Sequence, residues 1–169
     1  MDFYLTYLHR QILPLEYRAE VHMYDTNFYQ KLTNVQTEEE KKTNVTDAQR
    51  RHCKVSSWTK NLDIFEKNLL VIPICEDDHW YLILVVKPGL VAYPERQRNN
   101  GEEEPLILLL DSYYEGYKWV KTVENIRDYL AEEWATKKGV KPKVGAKARL
   151  MFNQENMNMV QPERVRNPP

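Results

Sequence analysis

Residues 68–86 read NLLVIPICEDDHWYLILVV, two continuous apolar runs separated by the four polar residues 76–79. Each run has the length of a buried strand, and so short a break leaves room only for a tight turn, so the spacing predicts an antiparallel pair. Pro73 removes a backbone donor from the first run, which suggests an edge position or a strand end at that point. A third run, LILLLDS at 106–112, supplies another buried strand ending in Asp111. A sheet of this composition needs helices to cover it.

The spacing in YKWVKTVENIRDYLAEEWATKKG predicts a helix over 117–138. Val120, Val123, Ile126 or Arg127, Leu130 and Trp134 form its apolar stripe, Lys137 and Lys138 sit in its last turn, and Gly139 follows it. At the other end, DFYLTYLHRQIL puts Phe3, Tyr7, Leu8 and Ile12 at helical spacing, with Asp2 as N-cap and Pro14 just past the end. In EYRAEVHMYDTNFYQKL, Val21, Tyr24, Phe28 and Leu32 recur every three or four residues and predict a second helix. TNVQTEEEKKTNVTDAQRRHCK is polar without a period and reads as a surface loop or a short exposed helix. SSWTKNLDIFEKN places Trp58, Leu62 and Phe65 on one face of a short helix packed on the core. Residues 88–105 carry three prolines and two glycines and read as a long loop; residues 141–169 read as an irregular C-terminal segment. The fold class is α+β, a mixed sheet with strands at 68–75, 80–86 and 106–112 and helix 117–138 laid on it.

Composition narrows the function classes. A chain of 169 residues suits one domain, and its 42% apolar content leaves some of it exposed or irregular. A net charge of −1 argues against non-specific nucleic-acid binding as the main activity. No apolar run approaches the roughly 20 residues of a membrane span. Met1 is followed by Asp2 rather than by a basic and then apolar leader, so an intracellular location without membrane attachment is expected. Cys53 and Cys75 fit a reducing compartment and make no zinc-type spacing with the four histidines, and no cofactor or metal is expected. The basic run Lys137, Lys138, Lys141, Lys143, Lys147, Arg149 could meet an acidic partner, although such runs are more often solvated helix ends.

The chemistry falls on two strand ends. His79 opens the second strand and Asp111 closes the third, and if both strands share a sheet the two side chains can meet. A carboxylate beside an imidazole fixes its tautomer and stabilises its charged form, the supporting half of a nucleophile-base-orienter triad. The alternative is structural: a histidine at a strand start and an aspartate in a turn or cap. The cluster EDDH could also be read as hard metal ligands, but consecutive carboxylates on a turn diverge, which favours a solvated hairpin tip.

MDFYLTYLHRQILP, VHMYDTNFYQKL, SSWTKNLDIFEKNLLVIPICEDDHWYLILVVKPGL and LILLLDSYYEGYKWVKTVENIRDYLAEEW resemble successive blocks of the SUMO-specific (sentrin/ubiquitin-like-protein) cysteine protease family. Within it they are most similar to the branch that edits poly-SUMO chains. The resemblance covers residues 1–140, which it marks as the His/Asp-bearing part of a catalytic domain with a papain-like (adenain-like) fold. It implies that His79 is the general base, that Asp111 orients it, and that Trp80 helps wall the narrow tunnel holding the substrate's Gly-Gly tail. It also implies SUMO and SUMO-conjugated proteins as partners, a deSUMOylating isopeptidase activity and a nuclear location. A thiol paired with an imidazole suits amide cleavage near neutral pH, and a tunnel walled by rings admits glycine because a Cβ would clash.

Two elements of that pattern have no match here. The family continues with an oxyanion-hole Gln followed six residues later by the nucleophile in an Asp-Cys-Gly sequence. Gln161 is followed at the sixth position by Asn167. Cys75, four residues before His79 across a tight turn, is poorly placed for in-line attack, and Cys53 lies in a charged stretch. A Leu-Asn-Asp segment that precedes DFYL in the family is likewise missing. The chain therefore reads as a protease domain truncated before its nucleophile helix, with an inactive SUMO-binding fragment or scaffold as the alternative.

Overall fold

In this computed structural model, which describes residues 1–34, 45–92, 104–112, 118–139 and 151–160, five strands form one sheet. They are β1 (Val21–Met23), β2 (Leu69–Glu76), β3 (His79–Val86), β4 (Leu106–Leu110) and β5 (Asn158–Val160), in that spatial order. The two apolar runs make the central hairpin, paired antiparallel from Leu69 opposite Val86 to Glu76 opposite His79. Its connection is the two residues Asp77 and Asp78, both left-handed at φ 52° and 60°. That is the turn whose twist matches the flanking strands, and aspartate is among the few residues besides glycine that tolerate it. β4 joins β3 antiparallel, whereas β1 and β5 run parallel to β2 and β4, so the sheet is mixed, as expected. β1 reaches only as far as Val71 on β2. Pro73 lies past that point, where β2 has become an edge, and its missing N–H goes unfelt.

Five α-helices accompany the sheet among the described residues: α1 (Asp2–Tyr7), α2 (Leu15–Arg18), α3 (Phe28–Thr33), α4 (Asp47–Val55) and α5 (Lys118–Lys137). α5 lies where helix 117–138 was expected, and Val123, Ile126 and Leu130 of the expected stripe are buried, but the buried face is wider and its first turn uses Trp119 in place of Val120. Trp119, Thr122, Val123, Ile126, Tyr129 and Leu130 are buried, while Val120 is 55% exposed. Ile83 and Val85 of β3 and Ile107 and Leu109 of β4 form one core with them. Fully burying each such side chain contributes about 1.5–3 kcal/mol. Trp80, Leu82, Leu84 and Val86 alternate onto the opposite face, together with Leu108 and Leu110, and stay half-buried or exposed.

Several local expectations are corrected. Val21 does not extend a helix: residues 21–23 are a strand whose hydrogen bonds come from β2, although Tyr24, Phe28 and Leu32 are buried as the spacing required. Asp2 is not the N-cap, which falls on Met1; its carboxylate instead accepts from the N–H and hydroxyl of Thr26, tying α1 to the strand exit. The expected α1 face is turned outward, with Phe3 86% exposed and Leu5 inside, because His9 reaches the carbonyl of Val21 and lays the other side of the helix over the sheet edge. Residues 151–160, beyond the last sequence period, fold back to place Phe152 and Met157 in the core and β5 in the sheet. The predicted short helix at Trp58, Leu62 and Phe65 is a series of turns with a 3₁₀ turn at Ile64–Glu66.

The polar stretch before Trp58 holds α4, which is packed rather than exposed. Thr46 accepts from the N–H of Gln49 while the Gln49 side chain accepts from the N–H of Thr46, a capping box that starts the helix. Ala48, His52 and Val55 then turn toward α3 and α5. His52 Nε2 lies 2.5 Å from the carboxylate of Glu133, whose other oxygen accepts from the Thr59 hydroxyl at 2.7 Å. Lys137 adds donors to the carbonyls of Thr59 and Lys60. This sealed cluster satisfies its own polar atoms, as burial requires. Residues 35–44, 93–103, 113–117, 140–150 and 161–169, which hold most of the long loop, the distal basic run and Gln161, lie outside the described residues.

Candidate active site

The sheet brings the two strand ends together. β3 and β4 are neighbours with Leu82 opposite Leu110, so Asp111, one residue past β4, comes level with the start of β3. His79 Nε2 lies 2.6 Å from Asp111 Oδ1. The carboxylate side chain is 1% exposed and the imidazole 36% exposed. A buried acceptor held against a half-open ring selects the Nε2–H tautomer in the neutral imidazole and so puts the lone pair on Nδ1. The pair can therefore accept a proton at Nδ1 and stabilise the resulting cation through Asp111.

Neighbouring groups define the surroundings. Asp111 Oδ2 accepts from the indole N–H of Trp119 at 2.9 Å. Tyr81, two residues along β3, stacks its ring on His79 with centroids 6.2 Å apart and planes 23° off parallel. Its hydroxyl donates to Glu76 and lies 3.1 Å from Thr122 Oγ1 on α5. Burial first, then the hydrogen bond to the Glu76 carboxylate, push the Tyr81 phenol well above its ordinary range, so it stays neutral. Deeper in, Asn125 donates to the hydroxyl of Tyr29.

Sequence reasoning found His79 and Asp111 and missed Tyr81, Glu76, Thr122 and Trp119. The available signal was the pair Thr122 and Asn125 on the apolar side of a helix, which marks a buried polar network rather than a dry stripe. Trp80 points to the opposite face of β3 from His79 and is 41% exposed. Cys75 is exposed and directly opposite Trp80, so it lies on the wrong side of the sheet to face the imidazole. Cys53 is exposed on α4. Asp77 and Asp78 serve the turn, and among the described residues no group of three or more His, Cys, Asp or Glu is placed to hold an ion.

A separate cleft of about 280 Å³ lies between α1 and β1, lined by Leu5, His9, Arg10, His22 and Lys67 among others. Burial, followed by the charges of Lys67 and His9, lowers the pKa of His22 to about 4.

Comparison with known proteins bears on the whole arrangement. A family profile described as the Ulp1 protease family, C-terminal catalytic domain, matches residues 1–166. Sentrin-specific protease 6 of Mus musculus is 38% identical over 108 residues, covering 64% of this chain and 10% of that protein. Probable ubiquitin-like-specific protease 2A of Arabidopsis thaliana is 36% identical over 135 residues, covering 79% of this chain and 16% of that protein. This chain thus spans a small part of the length of these relatives. Among solved structures, a de-sumoylating protease superposes with TM-score 0.61 at 20% identity, covering 99% of this chain and 52% of that one. The SUMO protease Ulp1 superposes with TM-score 0.53 at 14% identity, covering 98% of this chain and 56% of that one. At these identities the likeness establishes the fold.

Proposed function

We propose, on the premise that this chain belongs to the Ulp1 protease family, that it is the His/Asp-bearing part of a cysteine-type isopeptidase that cleaves SUMO from its conjugates. The observation that carries the reading is the 2.6 Å contact between a half-open His79 and a buried Asp111 at the mouth of a rigid hairpin. In this role Nδ1 of His79 takes the proton of a nucleophilic thiol, Asp111 stabilises the imidazolium, and the proton passes next to the leaving amine. Trp80, next after His79 at the mouth of the hairpin but exposed on the other face of β3, offers an indole face over which a side-chain-free Gly-Gly tail can pass on its way to the strand end. Residues 1–140 carry the His/Asp pair and Asn158–Val160 complete the sheet beneath it, with SUMO-conjugated proteins as substrates and the nucleus as the place of action.

The thiol is neither Cys53, on α4, nor Cys75, on the face of the sheet away from His79. That placement also favours the second reading, a SUMO-binding unit without turnover of its own. The test uses SUMO ending in Gly-Gly. The 169-residue chain is expected to bind it, to lose at least tenfold in affinity with Trp80→Ala, and to leave an isopeptide conjugate intact. Cleavage by this chain would overturn the assignment of the thiol, and absence of SUMO binding would sink the family role at this surface. Cleavage by a longer product of the same gene, abolished by His79→Ala, would select the isopeptidase over the binding unit.

A further inference from the structure

We infer that Trp119 is a positioning residue of the active site, acting through its indole N–H on the Asp111 carboxylate; the inference rests on the reading of His79 and Asp111 given above. Asp111 stands just beyond the end of β4, where the strand ladder no longer constrains it. A carboxylate held by a single donor can rotate about its terminal torsion. Here the two oxygens take donors from two different elements, His79 Nε2 of β3 at 2.6 Å on Oδ1 and Trp119 Nε1 of α5 at 2.9 Å on Oδ2. Together they set both the position and the plane of the carboxylate. The indole nitrogen can only donate, and Trp119 is 5% exposed, so Asp111 is the acceptor that justifies burying it.

The same helix face also reaches the imidazole's neighbour. Thr122, one turn after Trp119, lies 3.1 Å from the hydroxyl of Tyr81, whose ring lies nearly parallel to that of His79 with centroids 6.2 Å apart. α5 thus acts on His79 through the acceptor of its Nε2–H and holds the neighbouring Tyr81. Loss of the indole donor removes the restraint that α5 places on the plane of the Asp111 carboxylate, so Nε2–H is held less firmly and the preference for a lone pair on Nδ1 weakens.

The experiment is imidazole ¹⁵N and ¹H spectroscopy of the 169-residue chain at a pH where the His79 ring is neutral. Three variants are compared with the parent: Trp119→Phe, Asp111→Asn, and replacement of Trp119 by β-(3-benzothienyl)alanine, which keeps the indole shape without its N–H. The parent is expected to show one Nε2–H tautomer with a slowly exchanging proton. Both Trp119 replacements should mix the tautomers and exchange that proton at least tenfold faster; the benzothienyl variant carries the result should the phenylalanine variant fail to fold. If the benzothienyl variant keeps the parent's tautomer and exchange while Asp111→Asn changes them, Trp119 is only a core residue and the inference falls alone. If Asp111→Asn also leaves His79 unchanged, the reading of the pair falls and takes the inference with it.

Discussion

Two imidazole–carboxylate pairs stand among the described residues at nearly the same separation, 2.6 Å for His79–Asp111 and 2.5 Å for His52–Glu133. Their settings are opposite. The His52 side chain is 6% exposed and Glu133 1%, and the second carboxylate oxygen is taken by Thr59, so every atom of that pair is spent on joining α4 to α5. His79 is 36% exposed, so only its carboxylate is sealed. Identical chemistry thus becomes a staple where both partners are enclosed and a candidate base where one ring edge faces solvent. Pair geometry alone does not mark a catalytic site; the difference in exposure between the partners does.

The largest expected effect comes from breaking the sealed pair. Glu133→Ala leaves a buried imidazole and the Thr59 hydroxyl without their acceptor and should cost about 3–5 kcal/mol in denaturant unfolding, whereas a paired His52→Phe, Glu133→Leu replacement should recover much of that. A loss under about 1 kcal/mol for Glu133→Ala would show the pair is not the staple its burial implies.

His22, in the cleft between α1 and β1, adds a third setting, in which burial and neighbouring positive charge act on the ring. Its folded pKa, about 4, lies below the ordinary 6.5, so between those values the unfolded chain binds a proton that the folded chain refuses. Stability is then full above pH 6.5, falls as pH drops toward 4, and levels off below it. Allowing for the partial exposure of the ring, the loss over that window should be about 1–2 kcal/mol, and His22→Phe should remove it from a pH series of unfolding curves.

At the open pair the effects on stability should be smaller. Asp111→Asn keeps the shape and one acceptor for Trp119 and should cost about 1 kcal/mol by thermal unfolding, since one charge-assisted hydrogen bond is weakened. His79→Ala takes a donor from the buried carboxylate but admits water in place of the half-open ring, and should cost no more than about 1 kcal/mol. A stability loss at His79 matching that at Glu133 would erase the distinction between base and staple.

What the sequence showed follows the same division between local and distant causes. The hairpin and β4 were legible because their apolar runs are continuous and because the break between them is too short for anything but a turn. From those strands the meeting of His79 with Asp111 follows by pairing. β1 was not legible: Val21, His22 and Met23 are too few to carry a pattern of their own and become a strand only because Leu69–Val71 lies alongside. α4 was hidden because its buried stripe of Ala48, His52 and Val55 includes a histidine whose partner is 81 residues away. The full width of the buried face of α5 was not legible, because a simple apolar count ranks Val120 above Trp119 and Thr122. Trp119 was lost with it, and with Trp119 the second donor on Asp111.

The connection of Asp77 and Asp78 also decides a matter of odd and even. Side chains alternate along β3, so the imidazole of His79 and the indole of Trp80 point to opposite sides, and the length of the turn selects which one shares a side with α5. With two residues between the strands, Glu76 faces His79 and the imidazole comes to Asp111. With one residue more or fewer, and the pairing carried through, the indole would be offered to α5 and the imidazole to the other face. Two aspartates that touch nothing in the site thereby determine which neighbour along the chain is the one that can carry a proton.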